Sequence, residues 1–126
     1  MASARDLVMA ARAQVEGLTP AQVAAEQEQG APLLVDVREP DETAAGTIPG
    51  ATPVPRGLLE FAADPGTPMH VEGFDAARRV ICFCSGGGRS ALAAQSLQAL
   101  GYTDVAHLEG GVGAWTADGR PVAPPT

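Results

Sequence analysis

Few folds accept three consecutive glycines between an apolar run and a helix-forming run, and this chain has that arrangement at Cys84-Ser85-Gly86-Gly87-Gly88-Arg89-Ser90. Upstream, Arg79-Val80-Ile81-Cys82-Phe83 is short, apolar and β-branched, the pattern of a buried strand. Downstream, Ala91 to Leu100 is rich in helix formers and is closed by Gly101. A cysteine therefore sits where a strand ends, glycines make the turn, and a helix starts at about Arg89. Backbone N–H groups of such a turn converge on one concave space, to which the helix adds the positive end of its dipole. The expected product is an anion cradle with a thiol at its base. Such surroundings favour the thiolate, the nucleophilic form of cysteine.

The chain has 126 residues, enough for one sizeable core and too few for two. Its formal net charge is −7, all eight basic residues are arginine, and only Arg78-Arg79 are adjacent, which argues against nucleic acid as a partner. No metal-site spacing of Cys and His occurs, and neither a metal nor a cofactor is expected. Cys82 and Cys84 lie about 6.6 Å apart on an extended strand, at the edge of what a disulfide tolerates. Cys82 reads as a core residue and the compartment as reducing. The first residues lack the apolar run of a signal peptide, and no window approaches a membrane span. A cytoplasmic protein without a membrane partner is the expectation.

Residues 3–14 carry Leu7, Val8, Ala11 and Val15 at near-helical spacing and are read as an N-terminal extension over 1–14, outside a domain of 15–121. A short strand is expected at 15–18, and Thr19-Pro20 caps a helix that ends at Gly30. Leu33 to Val37 has the unbroken apolar character of a central parallel strand. Thr52 to Val54 suits a sheet edge because of its prolines. Arg56 to Ala63 reads as a helix with Leu58, Leu59 and Phe61 inward. Residues 64–73 form a Pro/Gly-rich loop, read as a solvated excursion in preference to a lid carrying Met69 and His70 over the site. A helical turn is expected at 74–78. The helix from Arg89 presents Ala93, Leu97 and Leu100 as one stripe. Strand 105–108 places His107 half-exposed and without a catalytic role, and residues 122–126 read as a flexible tail. Alternating elements give an α/β domain in three layers, a mainly parallel five-stranded sheet with helices on both faces.

Together, three stretches resemble the rhodanese family of sulfurtransferases: Asp36-Val37-Arg38-Glu39-Pro40 with Gly46-Thr47-Ile48-Pro49-Gly50-Ala51, the Cys84 loop with four residues before Arg89, and Glu109-Gly110-Gly111-Val112-Gly113-Ala114-Trp115. The likeness covers about Leu18 to Pro121 and implies a single-domain, rhodanese-like fold. Where the family usually has histidine after the glycine, this chain has Thr47. Asp36 and Arg38 fall at the carboxyl end of a strand, where α/β proteins place their sites. Glu42, four residues beyond Arg38, is expected to pair with it and hold the framework, with Asp36 a candidate supporting group.

The resemblance implies a Cys84 persulfide and a small-molecule sulfur donor, thiosulfate or a persulfide, including one on a protein. The acceptor would be a thiol or cyanide. Amides from Ser85 through Ser90, with Gly86, Gly87 and Gly88 between, would hold the sulfur, and Arg89 either grips an anionic donor or braces the loop, with bracing preferred. Three alternatives stand beside this reading. A regulatory or sulfur-carrying module with little turnover is one, although such modules commonly lack the cysteine. A phosphatase or arsenate reductase is another, although those families place five residues between Cys and Arg. A Cys82/Cys84 redox pair is the third.

Overall fold

The computed structural model describes residues 1–30 and 32–126. Five strands form one sheet: β1 (Glu16–Leu18), β2 (Leu33–Asp36), β3 (Thr52–Pro53), β4 (Val80–Phe83) and β5 (Val105–Leu108). Their spatial order is β1-β5-β4-β2-β3, and every pairing is parallel. Among the described residues six helices accompany it: α1 (Ala4–Gln14), α2 (Pro20–Glu28), α3 (Pro40–Ala44), α4 (Leu59–Ala63), α5 (Gly88–Ala99) and α6 (Gly111–Ala117). Local chemistry starts several of them. Ser3 and Asp6 form a capping box on α1, as Thr19 and Gln22 do on α2, and Pro40 occupies the first turn of α3.

The sheet is covered on both faces. Val80 and Cys82 of β4 pack with Leu59, Ala62, Ala94 and Leu97, the side of α4 and α5. Ile81 and Phe83 point the other way, to Val23, Ile48 and Trp115, the side of α2 and α6. This period-two split explains why central strands read as unbroken apolar runs. Helix α1 lies on α5 and buries Ala11, leaving Leu7 and Met9 exposed.

Some local expectations give way. Residues 56–58 form a 3-10 turn before α4, so Leu58 and Phe61 face solvent while Leu59 alone of the three is buried. Leu100 is likewise exposed, because α5 ends at Ala99. Residues 74–78 turn without becoming helical: Asp75 accepts the Ala77 and Arg78 amides, and Phe74 is buried edge-on to Tyr102. The 64–73 loop folds at the amino ends of β4 and β5, where Val71 bonds Ala62 and His70 Nε2 meets the Phe74 carbonyl at 3.2 Å. It lies away from Cys84, which closes β4 at its carboxyl end. In the tail, Ala123 exchanges two backbone hydrogen bonds with Thr47, at 2.8 and 2.9 Å.

Candidate active site

Asp36, Cys84 and Glu109 gather at the carboxyl end of the sheet, because β2, β4 and β5 are parallel neighbours. Cys84 is 2% exposed, and its Sγ receives the Gly87 N–H at 3.1 Å, with Ser90 Oγ at 3.6 Å. Gly87 takes φ +106° to turn the chain into α5, a conformation that side chains rarely adopt. The Cys84 and Ser85 carbonyls are drawn to the opposite side by the α6 amides of Val112 and Gly113, at 2.8 and 3.1 Å. Gly111 makes this approach possible. Its φ is +59°, and a Cβ there would stand 2.5 Å from the Ser85 carbonyl carbon.

Arg89 does not point freely into the bowl. Its guanidinium grips Glu42 through Nη1 and Nη2, at 2.7 and 3.0 Å, and Ser85 Oγ donates to the same carboxylate at 3.0 Å. The expected Arg38–Glu42 pair is therefore corrected: Glu42 reaches across to the Cys84 loop and fastens its two ends. The hydrogen bonds from Arg89 hold the Glu42 carboxyl down at about 2, helped by the Glu39 amide and Ser85. Because the folded value lies below the ordinary 4.5, the clasp contributes fully above that range and is lost as pH falls through about 2. We expect Glu42→Gln to lower the melting temperature relative to the native chain above pH 5 and to converge with it near pH 2, the thermal melts being recorded across that range.

Arg38 turns to Asp36 instead, in a buried bidentate pair with Nη2–Oδ2 at 2.8 Å, and donates to the Gly46 carbonyl at 2.7 Å. Thr43 and Thr47 hydroxyls donate to Asp36 Oδ2 at 3.1 and 2.8 Å. Burial pushes the Asp36 carboxyl up, but the Arg38 and Thr47 hydrogen bonds outweigh it and leave it below its usual range. Thr47 thus supplies a hydrogen bond at the position where the family usually carries histidine. Asp36 and Arg38 brace the start of α3, the helix that presents Glu42. Asp36→Asn removes the charge under a buried guanidinium, for which a loss of about 3–5 kcal/mol is expected in denaturant unfolding.

Cys82 is wholly buried, and burial pushes its thiol up to about 12. His107 departs furthest from expectation: it is fully buried and places Nδ1 3.1 Å from Ser90 Oγ. All four residues of β5 are buried, and α5 lies over the face that carries His107. The apolar run alone did not reveal that burial. Beside the glycine loop, Val8, Arg12, Gly86–Gly88, Glu109 and Gly110 line a cavity of about 270 Å³. Among the described residues no His/Cys/Asp/Glu group has a metal-binding arrangement, and no helix is long and apolar enough to cross a membrane.

Comparison with known proteins gives the family. The family model "Rhodanese-like domain" matches residues 19–118. A sulfurtransferase of Allochromatium vinosum is 37% identical over 93 residues, 74% of this chain and 79% of that protein. A Rhodopseudomonas palustris protein of unknown function, described as a possible tyrosine phosphatase, superposes with a TM-score of 0.91 at 37% identity. That match covers 98% of this chain and 96% of the other. A human single-domain sulfurtransferase gives 0.75 at 28% identity, over 82% and 96% of the two chains. On the fold, the extent of the family match and the placement of its three motifs, the chain belongs to the rhodanese-like domain family.

Proposed function

We propose that this protein is a sulfurtransferase that carries sulfane sulfur on Cys84 between a small-molecule or protein-bound donor and a thiol or cyanide acceptor. One observation carries the reading: a thiol at the end of β4, receiving the Gly87 amide at 3.1 Å, inside a glycine loop clasped through Arg89 to Glu42. The Cys84 thiolate attacks the outer sulfur of thiosulfate or a persulfide. The donor's S–S bond breaks, sulfite or a thiolate leaves with the electron pair, and Cys84 becomes a persulfide. The loop amides from Ser85 to Ser90 face the negative terminal sulfur, as an oxyanion hole faces oxygen. A second thiol or cyanide then attacks that sulfur and Cys84 leaves as thiolate. Both Arg89 guanidinium nitrogens that engage Glu42 are committed to the clasp, which leaves donor binding mainly to backbone amides. Selection for a dianion is accordingly weak, and persulfide donors are favoured alongside thiosulfate.

A second reading, phosphate-ester hydrolysis, draws its support from the description of the R. palustris relative. Four residues separate Cys84 from Arg89 here. A tetrahedral phosphoryl group needs three oxygens received at once, whereas a single sulfur needs less room and permits the amides to converge closely. Intact-protein mass after exposure to thiosulfate should show the gain of one sulfur atom, and thiocyanate should form on addition of cyanide. Efficient phosphate release from an aryl phosphate, without sulfur loading, would decide for the second reading. Inserting one glycine among Gly86–Gly88 is expected to lower sulfur transfer at least tenfold, since the amides retreat from the outer sulfur, by analogy with the loss of a single oxyanion-hole donor.

A further inference from the structure

A line of polar groups leaves the thiol on its inner side and ends at the surface. Cys84 Sγ lies 3.6 Å from Ser90 Oγ, and Ser90 Oγ lies 3.1 Å from His107 Nδ1. The opposite ring nitrogen of His107 is buried with no hydrogen-bond partner among the described residues, 3.5 Å from Glu109 Oε1. Glu109 in turn holds Arg12 of α1 at 2.7 Å, where both side chains are open to solvent. Ser90 and His107 are each 0% exposed. An unpaired imidazole nitrogen in such a place costs free energy unless some state of the protein uses it.

We propose that His107 is a positioning residue that takes the Cys84 proton through the Ser90 hydroxyl, so that the working thiolate is paired with a buried imidazolium. This rests on Cys84 being the nucleophile of the proposed function. The step balances internally. The Cys84 S–H proton passes to Ser90 Oγ as the Ser90 O–H proton passes to His107 Nδ1, and the electron pair stays on sulfur. Afterwards Nδ1–H donates to Ser90 Oγ, the hydroxyl donates to the thiolate, and Nε2–H is drawn to the Glu109 carboxylate. The Ser90 hydroxyl has one hydrogen and a further acceptor, the Gly87 carbonyl at 3.2 Å, so it has a resting direction besides the two in the relay.

The charges around the ring pull both ways. Burial pushes the His107 pKa down, the Glu109 charge pulls it up, and Arg12 pushes it down again. The ring therefore stays neutral unless a negative sulfur forms nearby. Cys82, its cross-strand neighbour on β4, stays a neutral thiol. Glu16 of β1 and Asp104 are both engaged by Arg79 at the amino end of the sheet. Ser90 of α5, Glu109 after β5 and Arg12 of α1 complete the polar surroundings of the ring, and Arg89, clasped to Glu42, is the fixed cation that faces the sulfur.

The test reads the thiolate without any sulfur donor. Iodoacetamide alkylation of Cys84 is followed against pH in the full chain, with thermal melts as the folding control. His107→Asn keeps an acceptor near the Nδ1 position but takes no proton. Its alkylation midpoint should rise by about one pH unit, with about tenfold slower alkylation below both midpoints. Ser90→Ala should shift in the same direction, the double variant no further than either, and Ser90→Thr should restore the native profile. Should His107→Asn not fold, Glu109→Gln, at the surface, is expected to give a smaller upward shift. Nuclear magnetic resonance of labelled histidine adds a readout that mere packing would not move: a protonated His107 ring at neutral pH in the native chain, neutral in Cys84→Ser. Superimposable alkylation profiles in the folded variants, or a His107 ring neutral in both chains, would overturn the proposal. Normal alkylation shifts in a protein that loads no sulfur would instead fail the proposed function and leave the relay standing.

Discussion

Replacing Cys84 with serine is expected to abolish sulfur loading and thiocyanate formation, while Cys82→Ser keeps most of both. The contrast follows from one residue of separation along the chain. Cys82 points into the core beside Leu97 and Ala94, and burial pushes its thiol far above neutral pH. Cys84 stands past the last residue of β4, where Gly87 donates to sulfur. A hydroxyl at that position holds its proton far more tightly than a thiol and is a far poorer nucleophile toward sulfur at neutral pH. Removing a covalent nucleophile costs several powers of ten in rate, on the order of the losses seen when comparable nucleophiles are deleted. The measurement is intact mass after thiosulfate exposure, followed by the cyanide assay. A dead Cys82→Ser chain beside an active Cys84→Ser chain would move the site to the other cysteine.

A stability effect as large as that of Asp36→Asn belongs to a glycine that touches no substrate. Gly111→Ala should cost about 3–5 kcal/mol in denaturant unfolding, the range of severe single substitutions. Two effects combine: a left-handed backbone at φ +59°, and a methyl group driven into the Ser85 carbonyl. Gly119 separates them, since it has φ +76° with nothing within 4 Å of an added Cβ. Gly119→Ala should therefore cost only the strain, about 1–2 kcal/mol. Equal losses at the two positions would show that close approach of α6 to the Cys84 loop contributes nothing. Because α6 binds the Cys84 and Ser85 carbonyls, surviving Gly111→Ala protein should also transfer sulfur slowly.

Much of this arrangement is legible in the residue order. Strand, glycine turn and helix around Cys84 are local features, and so are the α2 cap and the apolar run of β2. Partner choice at long range is not local. Glu42 is spaced to meet Arg38, yet the buried Asp36 captures Arg38 and frees Glu42 for Arg89, 47 residues away. Both alternatives satisfy the spacing rules, and only the packed core decides between them. His107 was misplaced for a related reason. Whether a polar residue on a short strand sees solvent depends on which helix packs over its face of the sheet, here α5, and that is a long-range property. Leu58, Phe61 and Leu100 face outward because α4 starts at Leu59, three residues after the expected Arg56, and α5 ends at Ala99, one residue before Leu100.

The sheet order also bears on how the chain is made. Strand β1, close to the amino terminus, has a single neighbour, and that neighbour is β5, at residues 105–108. Helix α1 rests on α5, which is also formed late. During synthesis β1 and α1 therefore wait, without these partners, until α5 and β5 have emerged. Contacts so distant along the chain are slow to close, because loop entropy is lost before they form. A nascent chain stopped just after α5 holds Cys84 and its glycine turn but lacks the strand and helix that flank them. Its loop then lacks the α6 amides that draw the Cys84 and Ser85 carbonyls aside, so the surroundings of the reactive sulfur are completed only by β5 and α6.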